Sequence, residues 1–180
     1  PELLERAKRF SRQGLVRNPR EFKINDQGPW HQEVHDFGLN YRLSDILCAL
    51  GLSQLKRLGE SKDKKSAIFQ RYVEELQNTK EVELPIQRSF VSANWHLFPI
   101  RVDPGRRTLL FNNLRKAGIG VQVNYIPAYW HPVFNSKGWK PGKYPESDLF
   151  YAREISLPMF NSLKEEELDR VITTLKELCM

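Results

Sequence analysis

The sequence predicts a mixed α/β chain, α+β in its C-terminal part, and three observations carry that expectation. A strand, a helix and a second strand follow one another across residues 94–125, where apolar periodicity changes from two to about 3.6 and back to two. Three helical patterns precede this succession and another ends the chain. A polar, glycine-led loop, Gly38-Leu39-Asn40-Tyr41-Arg42-Leu43-Ser44-Asp45, feeds directly into the most apolar helix of the sequence.

Taken in order, residues 1–13 read as a helix. Pro1 suits a first turn, Leu3, Leu4, Ala7 and Phe10 form an apolar stripe, and Gly14 is a stop. Residues 15–37 have little periodicity. His31 and His35 stand four apart, as a metal pair on a helix would, but no helical pattern supports them and no acidic residue is spaced to complete a set, so no metal is expected. A helix then runs from Ser44 to Leu58, with Ser44 as N-cap and Asp45 where the helix dipole favours negative charge. Ile46 to Leu52 contains no charged residue, which predicts burial on all sides. Gly51 costs about 1 kcal/mol relative to Ala in a helix, which implies close approach of another backbone. Gly59 is read as the break.

The next helix turns Ile68, Tyr72 and Leu76 inward, with Phe69 and Val73 beside them and a solvated face at Lys62 to Lys65, Glu74 and Glu75. A short strand is expected around Val82 to Leu84. In 94–102, His96, Phe98, Ile100 and Val102 share a face, and Pro99, lacking an N–H, marks an edge strand or a bulge. Residues 106–117 form an amphipathic helix with Leu109, Leu110 and Leu114, closed by Gly118. Ile119, Val121, Val123 and Tyr125 then alternate as a half-buried strand. Residues 126–147 are an aromatic, proline-rich loop with basic turns. Tyr125, Tyr129 and His131 put polar tips on apolar bodies there, and two readings stand: the lining of a ligand pocket, or a loop pinned by aromatic packing. A short helix at 148–154, a strand at 155–158 and a helix opened by a Ser162 to Glu165 capping box complete the chain, with Leu168, Val171, Ile172 and Leu175 inward.

Composition narrows the function classes. The formal charge of +6 is spread along the chain with no basic run interleaved by aromatics, which argues against nucleic acid and suits small anions such as phosphates. Cys48 and Cys179 make no disulfide framework, and no apolar run is long enough to span a membrane, so a cytoplasmic protein is expected. The start at Pro1 without an initiator Met suggests a fragment or a processed product. The Asn40-Tyr41-Arg42 triplet offers neutral donors beside a guanidinium fork matched to phosphate. The alternative is that Asn40 closes a turn and Arg42 pairs with a surface carboxylate.

The loop and helix from Gly38 through Asn40, Tyr41, Arg42 and Asp45 to Gly51 and Leu55 resemble a signature of the DegT/StrS-type sugar-nucleotide aminotransferases, pyridoxal-phosphate enzymes of fold type I. Further matches follow in the family's order: His96-Leu97-Phe98-Pro99-Ile100-Arg101-Val102, Gly118-Ile119 through Tyr125-Ile126-Pro127, and Glu154-Ile155-Ser156-Leu157-Pro158. The resemblance implies that 1–58 is the trailing part of a large cofactor-binding domain and 59–180 a small C-terminal domain. The segments around 121–134 and 150–158 look most like the transaminases of pseudaminic acid biosynthesis, which aminate a UDP-linked 4-keto-6-deoxy N-acetyl sugar with glutamate as donor.

The resemblance also implies roles. Asn40 would hydrogen-bond the cofactor phosphate across a homodimer interface, with Arg42 close by. Tyr125, Asn124, Tyr129 and His131 would line the sugar-nucleotide pocket. The Schiff-base lysine of the family lies in a Ser/Thr/Gly-rich segment, and no Lys here has that context, so no catalytic residue is assigned and the chain alone is expected to be inactive. Asn124 stands where the family often has His, which puts an acid/base role there in doubt, and Cys48 replaces a common Ala. The competing class is a non-catalytic binding module for nucleotide sugars or phosphates, resting on the same loop and the aromatic segment.

Overall fold

The computed structural model describes residues 2–23, 32–130 and 138–179, in two compact units, 1–56 and 57–180. In the first unit, helix α1 (Glu2–Phe10) runs into a left-handed turn at Gln13 and Gly14, with φ of 59° and 73°. The turn lets the backbone of 10–14 lie directly on that of 35–41. A Cβ on Gly14 would stand 1.7 Å from the Asp36 carbonyl oxygen, and one on Gly38 would stand 2.5 Å from that of Phe10. Main-chain bonds join the segments: Leu39 N–H donates to Phe10 O (2.8 Å), Gln13 N–H to Leu39 O (3.1 Å) and Tyr41 N–H to Ser11 O (2.9 Å). Strands β1 (Leu15–Val16) and β2 (Glu33–Val34) pair antiparallel just beyond. Glu33 is buried; its carboxylate accepts from Lys23 N–H and lies 2.5 Å from His35 Nε2. Gly14→Ala is therefore expected to weaken the unit by more than about 2 kcal/mol, from left-handed strain plus the clash at Asp36, read as a lowered melting midpoint by circular dichroism.

Helix α2 (Asp45–Lys56) starts after Ser44, whose hydroxyl accepts from Leu47 N–H at 3.4 Å. The expected all-round burial is not found: every residue of α2 is exposed, Ile46 at 82%. No heavy atom lies within 4 Å of a Cβ built on Gly51, so the expected close backbone approach is also absent. The sequence reports apolarity, whereas burial requires a covering surface, and none of the described residues supplies one.

The second unit holds the core. The helix break falls at Arg57 (φ −100°, ψ 4°), and Gly59 lies inside the first turn of α3 (Leu58–Leu76) rather than at the break. Strands β3 (Phe98–Arg101) and β4 (Glu154–Leu157) pair antiparallel, Phe98 opposite Leu157 and Arg101 opposite Glu154. Helices α4 (Pro104–Lys116), α5 (Pro145–Arg153) and α6 (Glu165–Leu178) surround them. Tyr72, Leu76, Phe98, Ile100, Leu114, Val121, Ile155 and Leu175 are completely buried. Phe69 stacks on Trp95 at 3.9 Å between centroids and meets Phe98 edge-on at 5.4 Å. The Tyr72 hydroxyl, its pKa raised by burial, donates to Pro158 O at 2.9 Å.

Single bridges extend this sheet on both sides, Glu83 to Arg101 and Gln122 to Ser156. The expected strand at 82–84 stops at one bridge for a reason in the register. With Glu83 opposite Arg101, the next bonding position sets Pro85 opposite Pro99, and neither has an N–H. Ser156 exchanges both main-chain bonds with Gln122, so it turns away from Pro99, which costs the β3–β4 ladder nothing.

Other expectations shift. The 94–102 strand is shorter, and His96 lies exposed outside it. Leu110 and Leu114, one turn apart on α4, face the core, while Leu109 is rotated away and exposed. The 119–125 alternation holds for Ile119 and Val121 but not for Tyr125, and only the Gln122 bridge forms. Ser162 falls in a turn closed by Leu163 N–H on Phe160 O (3.1 Å). Helix α6 therefore starts later, and Lys164 N–H donates to the Glu167 carboxylate at 2.9 Å.

Candidate functional site

In the first unit, the left-handed turn and the 38–44 loop enclose a cavity of about 530 Å³. Ser11, Arg12, Gln13 and Arg17 line it from one segment, Tyr41 and Arg42 from the other. Among the described residues no carboxylate lines it. Arg42 donates to Gln13 Oε1 at 2.9 Å, and Arg17 Nε to Gln32 Oε1 at 3.2 Å. Among the described residues, neither they nor Arg12 pairs with an acid. The nearest acids on the α1 side have other partners, Glu5 with Lys8 (2.8 Å) and Glu21 with Arg9 (2.9 Å). The reading in which Arg42 meets a surface carboxylate thus finds no partner among the described residues. Asn40 bridges Arg12 through its backbone, and its exposed side-chain amide has no hydrogen bond among the described residues.

In the second unit, Asn124 and Tyr125 leave the sheet at the Gln122 bridge. The Asn124 N–H donates to Glu154 Oε2 at 2.8 Å, and the Ser156 hydroxyl to Glu154 Oε1 at 2.5 Å. Glu154 is 1% exposed. Burial raises its pKa against the opposing pull of those two bonds and of the Arg107 charge. Asn124 also lines a cavity of about 490 Å³ with His96, Gln122, Ser156 and Arg170. Tyr125 lies outside that lining and is 72% exposed.

Tyr129 is buried, and its hydroxyl donates to the Asp148 carboxylate. Asp148 also accepts from the Trp130 indole N–H and from Gly142 N–H, each at 2.6 Å. Burial works against the Asp148 charge, but these three donors together lower its pKa; burial and then Asp148 raise that of Tyr129. For Tyr129 the packing reading describes the structure: its polar tip closes the loop. His131 lies outside the described residues, as does His31 of the metal reading. His35 is bonded to Glu33, and no group of three metal-ligating side chains occurs among the described residues.

Residues 1–176 match the model of the DegT/DnrJ/EryC1/StrS aminotransferase family. The chain belongs to that family. Among curated relatives of this aminotransferase family member, the UDP-4-amino-4,6-dideoxy-N-acetyl-beta-L-altrosamine transaminase of Campylobacter jejuni is 31% identical over 97% of the chain and 44% of its own length. An uncharacterized protein of Methanocaldococcus jannaschii is 29% identical over 98% of the chain and 47% of its own length. The chain thus spans about half the length of the curated relatives it matches. Among solved structures, Helicobacter pylori PseC, an aminotransferase of pseudaminic acid biosynthesis, aligns with a TM-score of 0.83 at 28% identity, covering 99% of the chain and 46% of PseC. The PLP-form of a Streptococcus pneumoniae protein described as a sugar aminotransferase aligns with a TM-score of 0.85 at 25% identity, covering 99% of the chain and 43% of that protein. The mixed α/β family fold expected from the sequence is therefore present in part.

Three residues of these sites escaped the sequence reading. Arg12 falls in the stretch read as the end of the first helix and Arg17 in the aperiodic stretch after it, and the structure ends α1 at Phe10 and brings both into the cavity lining with Arg42 through the Gly14 turn. Glu154 reads as the last residue of the short helix at 148–154, yet it opens β4, all four residues of which are buried.

Proposed function

We propose that this chain is the C-terminal portion of a pyridoxal-phosphate-dependent aminotransferase that aminates a UDP-linked 4-keto-6-deoxy sugar with glutamate as donor, in surface-glycan biosynthesis of the pseudaminic acid type. The observation that carries the reading is the cavity beside the Asn40–Arg42 loop, lined by Arg12, Arg17 and Arg42 and by no carboxylate among the described residues. Arg42 lines it and offers a guanidinium suited to a phosphate monoester, and Asn40, two residues earlier and outside the lining, has an exposed side-chain amide with no hydrogen bond among the described residues. Bound there, pyridoxal phosphate would supply the carbonyl and electron sink that carry the amino group. Asn40 and Arg42 hold and orient the phosphate. Asn124 and Tyr125 contact the sugar, Asn124 as a neutral hydrogen-bonding group. Tyr129, fixed on Asp148, keeps the aromatic loop in place. Among the described residues no lysine lines the cavity.

The protein acts as a cytoplasmic homodimer in which the Asn40 loop serves the partner's cofactor. The exposed apolar side chains of α2, Ile46, Leu47, Leu50 and Leu55, support a surface covered by a second copy. The test is to mix the chain with pyridoxal phosphate, reduce with borohydride and map the peptides. No stoichiometric label on a single lysine and no turnover of a UDP-4-keto sugar are expected; specific labelling with turnover would overturn the portion reading. Asn40→Ala is expected to weaken pyridoxal phosphate binding about tenfold, the loss of one charge-assisted bond, measured by absorbance titration.

A further inference from the structure

We infer that the turn at 86–91, flanked by Lys62 and Lys65 of α3, is a docking surface for an anionic lipid bilayer, met reversibly at the level of its headgroups.

Trp95 and Gln87 hold this turn in one shape. The Trp95 indole stacks on Phe69 and donates its N–H to Gln87 Oε1 at 3.0 Å, and the Gln87 amide donates to Val91 O at 3.0 Å. Val91 N–H closes the turn on Arg88 O at 3.0 Å, and Lys62 Nζ donates to Ser92 Oγ at 2.8 Å, which ties the far end to α3. Ser89 and Phe90 are left at the tip. Gly, Pro, Asn, Asp and Ser fill turn corners for backbone reasons, and none of those reasons calls for a phenylalanine. Phe90 is nevertheless 80% exposed and Ile86 84%, with Val91 exposed beside them. One exposed apolar side chain needs no explanation, but three on a single pinned turn form a patch.

The charge around the patch has one sign. No acidic residue occurs between Glu83 and Asp103. Glu83 is taken by Arg101 and Arg153, and Asp103 accepts from Gly105 N–H. Lys62, Lys65 and Phe69 share the face of α3 that meets the turn, whereas Glu60 falls on the opposite face and pairs with Lys64 at 2.7 Å. Asp63 lies about 100° round the helix from Lys62, away from Lys65 and Phe69. Among the described residues no acid pairs with Lys62, Lys65 or Arg88.

Shape selects the partner. Side chains this exposed protrude, and none of them lines either cavity described above. A protein partner would need sockets for them and about 800 Å² of matched surface on each side. Three side chains on one turn supply about half of that. A bilayer interface takes protruding apolar groups without a shaped receptor, and each flanking Lys or Arg gains from anionic headgroups.

The experiment floats the chain with vesicles of phosphatidylcholine alone and of phosphatidylcholine with about one-third phosphatidylglycerol, at low and at raised salt. Binding is expected on the anionic vesicles, weaker on the neutral ones and weaker at raised salt. I86S/F90S and K65E/R88E, each with unchanged far-ultraviolet circular dichroism, are expected to bind the anionic vesicles about tenfold more weakly. L109S, which removes an exposed leucine of α4, is expected to stay within about twofold of the parent chain. No binding to the anionic vesicles, binding by I86S/F90S or K65E/R88E equal to the parent's, or an equal loss in L109S overturns the docking surface. Binding of equal strength to both vesicles at both salt levels also overturns it. Self-association that I86S/F90S abolishes, without vesicle binding, overturns it in favour of a second copy of the chain.

Discussion

Phe98→Ala is expected to destabilise the 57–180 unit by about 3–5 kcal/mol, the usual cost of deleting a buried aromatic ring. Phe98 has no exposed surface, tilts against Tyr72 at 4.6 Å between centroids and meets the edge of Phe69. It lies on β3, directly opposite Leu157 of β4, so the cavity would open between the sheet and α3. A domain of this size has a net stability of about 5–15 kcal/mol, so the loss is a large fraction of the whole. Urea denaturation should show a lowered midpoint with an unchanged slope. A midpoint within about 1 kcal/mol of the parent would mean that the ring is not packed as described.

Glu154→Ala is expected to cost about 2–4 kcal/mol, because it leaves the Asn124 N–H and the Ser156 hydroxyl without their acceptor in a buried place. Hydrogen exchange at the Asn124 amide should accelerate, which reports the loosening of the Asn124–Tyr125 segment itself. The pH dependence has a definite sign. Burial raises the Glu154 carboxyl above its unfolded value, so its contribution is complete below the ordinary glutamate range and declines as pH rises through the raised pKa. Glu154→Gln, which cannot ionise, should lack that decline. Parallel stability–pH curves for the parent chain and Glu154→Gln would refute the assignment.

The elements legible in the sequence were those whose own periodicity decides their burial. Leu168, Val171, Ile172 and Leu175 are inward on α6 as their spacing requires, and so are Ile68, Tyr72 and Leu76 on α3. Features set by distant partners were not legible. Asp148 collects donors from residues 6, 18 and 19 positions away, and no local pattern announces such a hub. Helix α2 failed in the opposite direction: its composition implied burial, but composition does not provide the surface that would cover it. The Asn40–Arg42 loop stands out in the sequence because its residue types suit an anionic group. Arg12 and Arg17 do not stand out because their place in the cavity lining depends on the turn at Gly14, whose conformation a sequence suggests but whose direction it does not.

The facing prolines at 85 and 99 bear on how this chain behaves among other chains. A sheet margin with a full row of free amides can recruit any extended peptide, and repeated recruitment leads to aggregates. Here the outer row of β3 offers one donor, on Arg101, already taken by Glu83, and the next position has none. The same pair of residues that keeps the sheet small also leaves an intruding strand nothing to grip. Replacing both with valine would lengthen the ladder and, by the same change, make that margin adhesive.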